Sequence, residues 1–187
     1  MAGLIITVVV LGFVLIGIVG WGAGIYNNLV AIRNNVDKAW ANIDVILKQR
    51  HDELTKLIDT CKGYMEHERG LLERITQARA QVANAPDVAS KTLAENALNS
   101  GVKSLFAVAE NYPQLKANEN FINLQGRIST LEEAIADRRE FFNESVTNFN
   151  TRIQSFPDMF FAGFMHLTAR PLLEIPKAET ADVQVKF

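Results

Sequence analysis

A single cysteine, Cys61, is all the thiol chemistry this 187-residue chain carries. One thiol forms no intrachain disulfide, and it builds no metal site without several other ligands. Its helical spacing from Leu54, Ile58 and Met65 assigns it to packing as a small apolar side chain. Basic excess is missing too: the net charge of -2 argues against a dedicated nucleic-acid binder, which would show a basic face. No glycine-rich phosphate loop follows a strand, and no Gly-x-Ser-x-Gly elbow occurs. His67-Glu68-Arg69 opens like a zinc-protease motif, but the second histidine of that motif, four residues on, is replaced by Leu71. His51 lies too far along the chain to share an ion with His67, and His166 lies beyond Pro157. The expectation is no enzyme, with no catalytic residue, no metal and no cofactor.

Charge is absent from the whole N-terminal stretch, where no charged side chain precedes Arg33. Leu4 to Ala23 has the length of ~30 Å of helix, the hydrocarbon thickness of a bilayer. Leu4, Ile5, Val8, Leu11, Phe13, Leu15, Ile18 and Trp21 are the expected anchor residues, with Trp21 and Tyr26 at the aromatic belt. A cleavable signal would open on a basic region and stop sooner, and the segment has neither property. The lipid bilayer is therefore an expected partner. Arg33 and Lys38 lie on the C-terminal side only, and the positive-inside rule leans towards a cytoplasmic soluble part. Gly20-x-x-x-Gly24 has the spacing that lets two membrane helices approach, although glycines are ordinary in such segments.

Beyond the anchor the pattern is helical. Ile25, Leu29, Ile32, Val36, Ala39, Ile43 and Ile46 alternate steps of three and four. The stripe resumes at Leu47, Leu54, Ile58, Cys61, Met65, Leu72, Ile75 and Val82 after a phase shift, with Arg50 and Glu53 on the earlier register. This spacing predicts one long helix to about Ala83, bent near Arg50. Pro86, Asp87 and Ser90 mark a connection, and a second helix follows over Lys91–Asn111, closed by Tyr112-Pro113. Phe121, Ile128, Ile135, Phe142, Phe149 and Phe156 recur every seven residues, with Leu124, Leu131, Val146 and Ile153 between them: a coiled-coil-like seam that Pro157 ends. The fold expected is all-α: an N-terminal transmembrane helix (1–24), then an elongated antiparallel bundle of three to four helices (25–168) and an extended C-terminal tail (169–187).

Helix lengths raise a difficulty. A first soluble helix of ~85 Å outruns partners of ~30 Å and ~54 Å. Part of the stripe between Leu29 and Ile46 would then lack an intrachain partner, and such a face marks an interface. Gly20, Gly24, Leu29, Ile32, Val36, Ile43 and Ile46 are accordingly the candidate self-association residues, and a homo-oligomer is expected. Arg50, Glu68, Arg79, Arg138 and Arg139 fall on or beside apolar stripes, where charges need partners. Interhelical ion pairs are expected, for instance Glu68 with Arg138 or Arg139. Asn143, Asn148, Asn150 and Tyr112 fit a small-molecule pocket between helices or, more simply, interhelical hydrogen bonds that specify alignment. "DMFFAGFMHL" is unusually aromatic and reads as a cap on the bundle or as a short amphipathic helix touching membrane or a neighbouring subunit. In the tail, Val183, Val185 and Phe187 alternate as a docking strand would, or belong to a free end.

Five stretches, "YNNLVAIRNNVDKAWANIDVILKQR", "GYMEHERGL", "AENYPQLKANENFINLQ", "FFNESVTNFNTRIQSFP" and "VQVKF", together resemble the LemA family. The resemblance implies a bacterial membrane protein with an N-terminal transmembrane helix and a helical bundle; the inner membrane is the expected location. It carries no catalytic motif to transfer. The function expected is a non-enzymatic single-pass protein that self-assembles into a homo-oligomeric scaffold organising or shaping the membrane. The alternative is a membrane-tethered adaptor or sensor binding a different protein partner.

Overall fold

A computed structural model describes residues 1–86 and 88–173, with the backbone alone for 88 and 89. The described residues are all-α, with no strand among them: α1 (Ala2–Lys62), α2 (Arg69–Asn84), α3 (Val88–Ala109), α4 (Pro113–Lys116), α5 (Glu119–Gln154) and α6 (Asp158–Phe164), with a 3-10 turn at Glu66–Glu68. Val183, Val185, Phe187 and most of the tail lie outside the described residues. The helices form two compact units, one of Met1–Ala41 with Phe141–Leu172, the other containing Asn42–Glu140.

In the second unit α1, α2, α3 and α5 share one core. Leu54, Leu57, Ile58 and Cys61 of α1 meet Leu72 and Ile75 of α2, Leu98, Val102 and Leu105 of α3, and Phe121, Leu124 and Ile128 of α5. Leu115 of α4 joins them. α2 and α3 pack closely, and Gly101 makes room for it: a Cβ there would sit 3.0 Å from Ile75 Cγ1. The order of cross-helix pairs sets α1 and α5 antiparallel, with Arg50 to Glu132 and Glu53 to Arg127.

The long first helix departs from the sequence expectation. It is one continuous helix through Arg50, as expected, but ends at Lys62, not near Ala83. Gly63 follows, and the amides of Tyr64 and Met65 both donate to the Cys61 carbonyl, closing the last turn. The apolar stripe nevertheless continues, because α2 folds back and returns Leu72, Ile75 and Val82 to the same core. Prolines act as expected: Tyr112 leaves the helical region, Pro113 takes the first helical position of α4, and α5 stops at Gln154. Asn118 starts α5, its Oδ1 accepting from the Asn120 and Phe121 amides.

In the first unit the stem of α1 is covered by the chain itself, which corrects the expectation of an uncovered stripe. Leu29 and Val36 are 0% exposed, and Ile25 and Ala39 are buried. The same unit buries Phe142, Val146, Phe149 and Ile153 of α5 and Ala162 of α6, and Trp40 and Phe142 stack with ring centroids 5.5 Å apart. Ile43 is buried in the second unit, and Ile32 and Ile46 are half-buried. The length mismatch came from counting α2 as part of the first helix. Once α2 folds back, the stem needs only the end of α5 and the segment after it.

Candidate functional site

Two constellations stand out. In the second unit, charge is built into the core. Arg50, 1% exposed, donates from Nη1 to Glu95 Oε2 at 3.0 Å and from Nη2 to Glu132 Oε1 at 2.9 Å. Arg139, also buried, brings Nη2 to 3.7 Å from the same Glu95 oxygen. One turn along α1, buried Glu53 accepts from Arg127 at 2.7 Å and from Lys56 at 3.0 Å. Lys91 and Asp44 pair at the edge of this layer. Three helices are thereby tied through side chains that fit only one register.

Of the five expected ion-pair residues, the structure brings Arg50 and Arg139 together, through Glu95. No ion pair joins Glu68 to Arg138 or Arg139 among the described residues, which corrects that pairing. Glu68 falls in the 3-10 turn that the long-helix expectation left out, and Arg138 points to solvent. Arg79 is half-buried beside His51; burial first, then the Arg79 charge, hold that imidazole below its ordinary value, with Asp52 opposing. Sequence reasoning missed Glu95, whose signal would have been a carboxylate on the apolar face that carries Leu98 and Val102.

Burial pushes the Glu95 carboxyl above the 4.5 of a free glutamate, while Arg50, Arg139 and Lys91 pull it part of the way back. The folded protein therefore holds this proton more tightly than the unfolded chain does. The stability linked to it is full below the unfolded value and is lost as pH rises through the folded one. Thermal unfolding followed from pH ~4.5 upward is expected to show a less negative slope of stability against pH in Glu95→Gln than in the parent. Equal slopes would place the carboxyl in solvent.

Cys61 is fully buried, and burial pushes its thiol up to about 12. A thiol so held supplies no thiolate for chemistry near neutral pH. Among the described residues no group of three His, Cys, Asp or Glu side chains lies close enough to hold a metal ion.

The first unit contains the apolar segment. α1 is the one helix among the described residues long and apolar enough to cross a membrane, and none of its most apolar window is buried. Leu4, Ile5, Val8, Leu11, Phe13, Leu15, Ile18 and Trp21 are all exposed. Gly20 and Gly24 face open space, and a Cβ added at either would meet nothing within 4 Å. At Gly22 the surroundings change, because a Cβ there would lie 3.2 Å from Phe161 Cζ. α6 therefore rests against the last turn of the apolar segment.

Several contacts hold α6 there. Arg152 Nη2 lies 2.8 Å from Oδ2 of buried Asp158, an ion pair across the break between α5 and α6. His166 closes the helix in the left-handed region, with φ 52. Its amide donates to Gly163, and that of Leu167 donates to Ala162, the pairing of a Schellman turn. Asn150 then takes Arg170 in a two-point clamp, Nδ2 to the carbonyl and Oδ1 from the amide, both at 2.8 Å. The Arg170 guanidinium stands 5.6 Å from the Phe149 ring centroid and pairs with Asp37 of α1. The expected interhelical role of Asn150 is thus a bond to the returning segment. Asn148 is exposed.

Comparison with known proteins adds the relationship. Residues 39–187 match the model of the LemA family. A protein named "Protein LemA" from Metamycoplasma hominis is 30% identical over 131 residues, which is 70% of this chain and 60% of that relative. The match thus spans less than two thirds of the relative's length.

Proposed function

Because the chain belongs to the LemA family, we propose that it is a single-pass, non-enzymatic membrane protein. Its helices assemble with further copies into a homo-oligomeric scaffold at the bacterial inner membrane, with the soluble part on the cytoplasmic side. The observation that carries this reading is the contrast along α1. The large apolar side chains from Leu4 to Trp21 are exposed, with Phe161 meeting the segment at Gly22, and the stem that follows is matched by its own chain. A stretch that finds no protein partner in one copy has lipid or another such helix as its solvent.

The buried stem moves the association surface. Leu29, Val36 and Ile43 are occupied internally, so contact between copies falls to the open Gly20-x-x-x-Gly24 face. A scaffold joined within the bilayer would organise or shape it. Chemical crosslinking in native membranes is expected to give a ladder of whole multiples of one chain, shortened by Gly24→Leu. A single band with a different protein, unchanged by Gly24→Leu, would mark a tethered adaptor instead.

A further inference from the structure

We propose that the aromatic ridge formed by Phe156, Phe160 and Phe164 is a lipid-binding element, seated at the headgroup–acyl boundary where α1 leaves the bilayer. The inference rests on the reading of Leu4–Ala23 as a membrane span.

Three observations within the first unit support it. The first is exposure: Phe156 is 79% exposed, Phe160 66% and Phe164 82%, with Met159 also open. Phe160 and Phe164 stand one helical turn apart, and the Phe156 ring meets that of Phe160 edge-on at 6.0 Å, so the three make a continuous apolar edge. Phe156 belongs to the heptad seam by spacing, yet α5 has ended at Gln154 and the ring turns outward. Such an edge facing water is unfavourable, and a soluble protein would be expected to cover it.

The second is level. Phe161, the neighbour of Phe160, packs on Gly22, so α6 lies beside the turn that carries Trp21. A span starting at Leu4 uses its ~30 Å of helix by Ala23, which puts this turn at the boundary where aromatic side chains are favoured. Trp21 and Tyr26 are themselves exposed there.

The third is charge. Asp158 is the only ionisable side chain in α6, and it is folded inward against Arg152. The outward edge is left neutral and aromatic, as contact with the acyl boundary requires. The edge lies on the helix whose Phe161 packs on the anchor at Gly22, which is why lipid is the occupant to which the geometry points.

The test uses full-length protein in vesicles of phosphatidylcholine and phosphatidylglycerol. A single environment-sensitive fluorophore is attached at Phe160→Cys, Val14→Cys or Ile122→Cys, with buried Cys61 left in place and the parent chain as labelling control. Spin-labelled lipids that quench near the headgroup boundary or near the bilayer centre then report depth. The Phe160→Cys probe is expected to emit blue-shifted and to be quenched most by the shallow label. Val14→Cys is expected to be quenched most by the deep label, and Ile122→Cys by neither. An unquenched, water-like Phe160→Cys probe beside a deeply quenched Val14→Cys probe overturns the inference and leaves the span standing. A blue-shifted but unquenched Phe160→Cys probe overturns it in favour of a protein cover such as a second copy. If Val14→Cys is also unquenched, the span itself fails.

Discussion

Arg50→Ala is expected to destabilise the helical part by about 3–5 kcal/mol, the range for breaking a buried ion pair from one side. The reason is what remains after truncation. Glu95 is buried, and its nearest surviving cation, Arg139, lies 3.7 Å away, beyond ordinary hydrogen-bond distance. The variant leaves a carboxylate without its closest donor and a void where a long aliphatic stem had packed. Glu132 suffers less, because its side chain is 31% exposed and water replaces the lost donor. Urea unfolding of full-length protein in mild detergent, followed by far-ultraviolet circular dichroism, measures the loss. Adding Glu95→Gln to Arg50→Ala is expected to recover part of it, since the stranded charge is then removed. A loss below ~1 kcal/mol, the value of an exposed pair, with no recovery in the double variant, would contradict the burial of this layer.

The second large effect concerns the anchor. Leu11→Lys combined with Leu15→Lys is expected to shift the protein from the membrane fraction to the soluble fraction after an alkaline carbonate wash. Each lysine near the centre of a span costs about 2.5–3.5 kcal/mol, whereas each Leu, Ile, Phe or Val contributes only about 0.3–0.6 kcal/mol in favour. Two lysines therefore offset most of what a segment of this length gains. Both positions are exposed, so no loss of packing within the chain accompanies the change. Unaltered retention in the membrane fraction would mean that the segment is not what holds the protein there.

Patterns that rest on one helix at a time were legible in the sequence. The heptad of Phe121, Ile128, Ile135, Phe142 and Phe149 is buried as its spacing required, and Pro113 and Pro157 mark breaks in the helices. Patterns that depend on which helix meets which are harder to see. The break after Lys62 carries one weak signal, Gly63, and the stripe runs on through Met65 and Leu72 because the chain returns to the same core. Without that reversal the stem outruns its partners, and Leu29, Val36 and Ile43 count as available when they are occupied. Arg50 and Glu53 stand out as charges on an apolar register, which they are. Their partners come from α3 and α5 at separations that no local pattern encodes, so Glu95 is passed over. Phe156 fits the heptad and still faces outward, since periodicity does not survive the end of the helix that carries it.

The central claim is that one N-terminal helix crosses the bilayer. Cysteines placed at Gly3, Val14 and Asn35, with buried Cys61 unreactive, can be probed with a membrane-impermeant thiol reagent from each side of sealed membranes. Labelling at positions 3 and 35 from opposite sides, with position 14 protected from both, is the predicted result. Labelling at 3 and 35 from the same side, or at 14 from either, would contradict it.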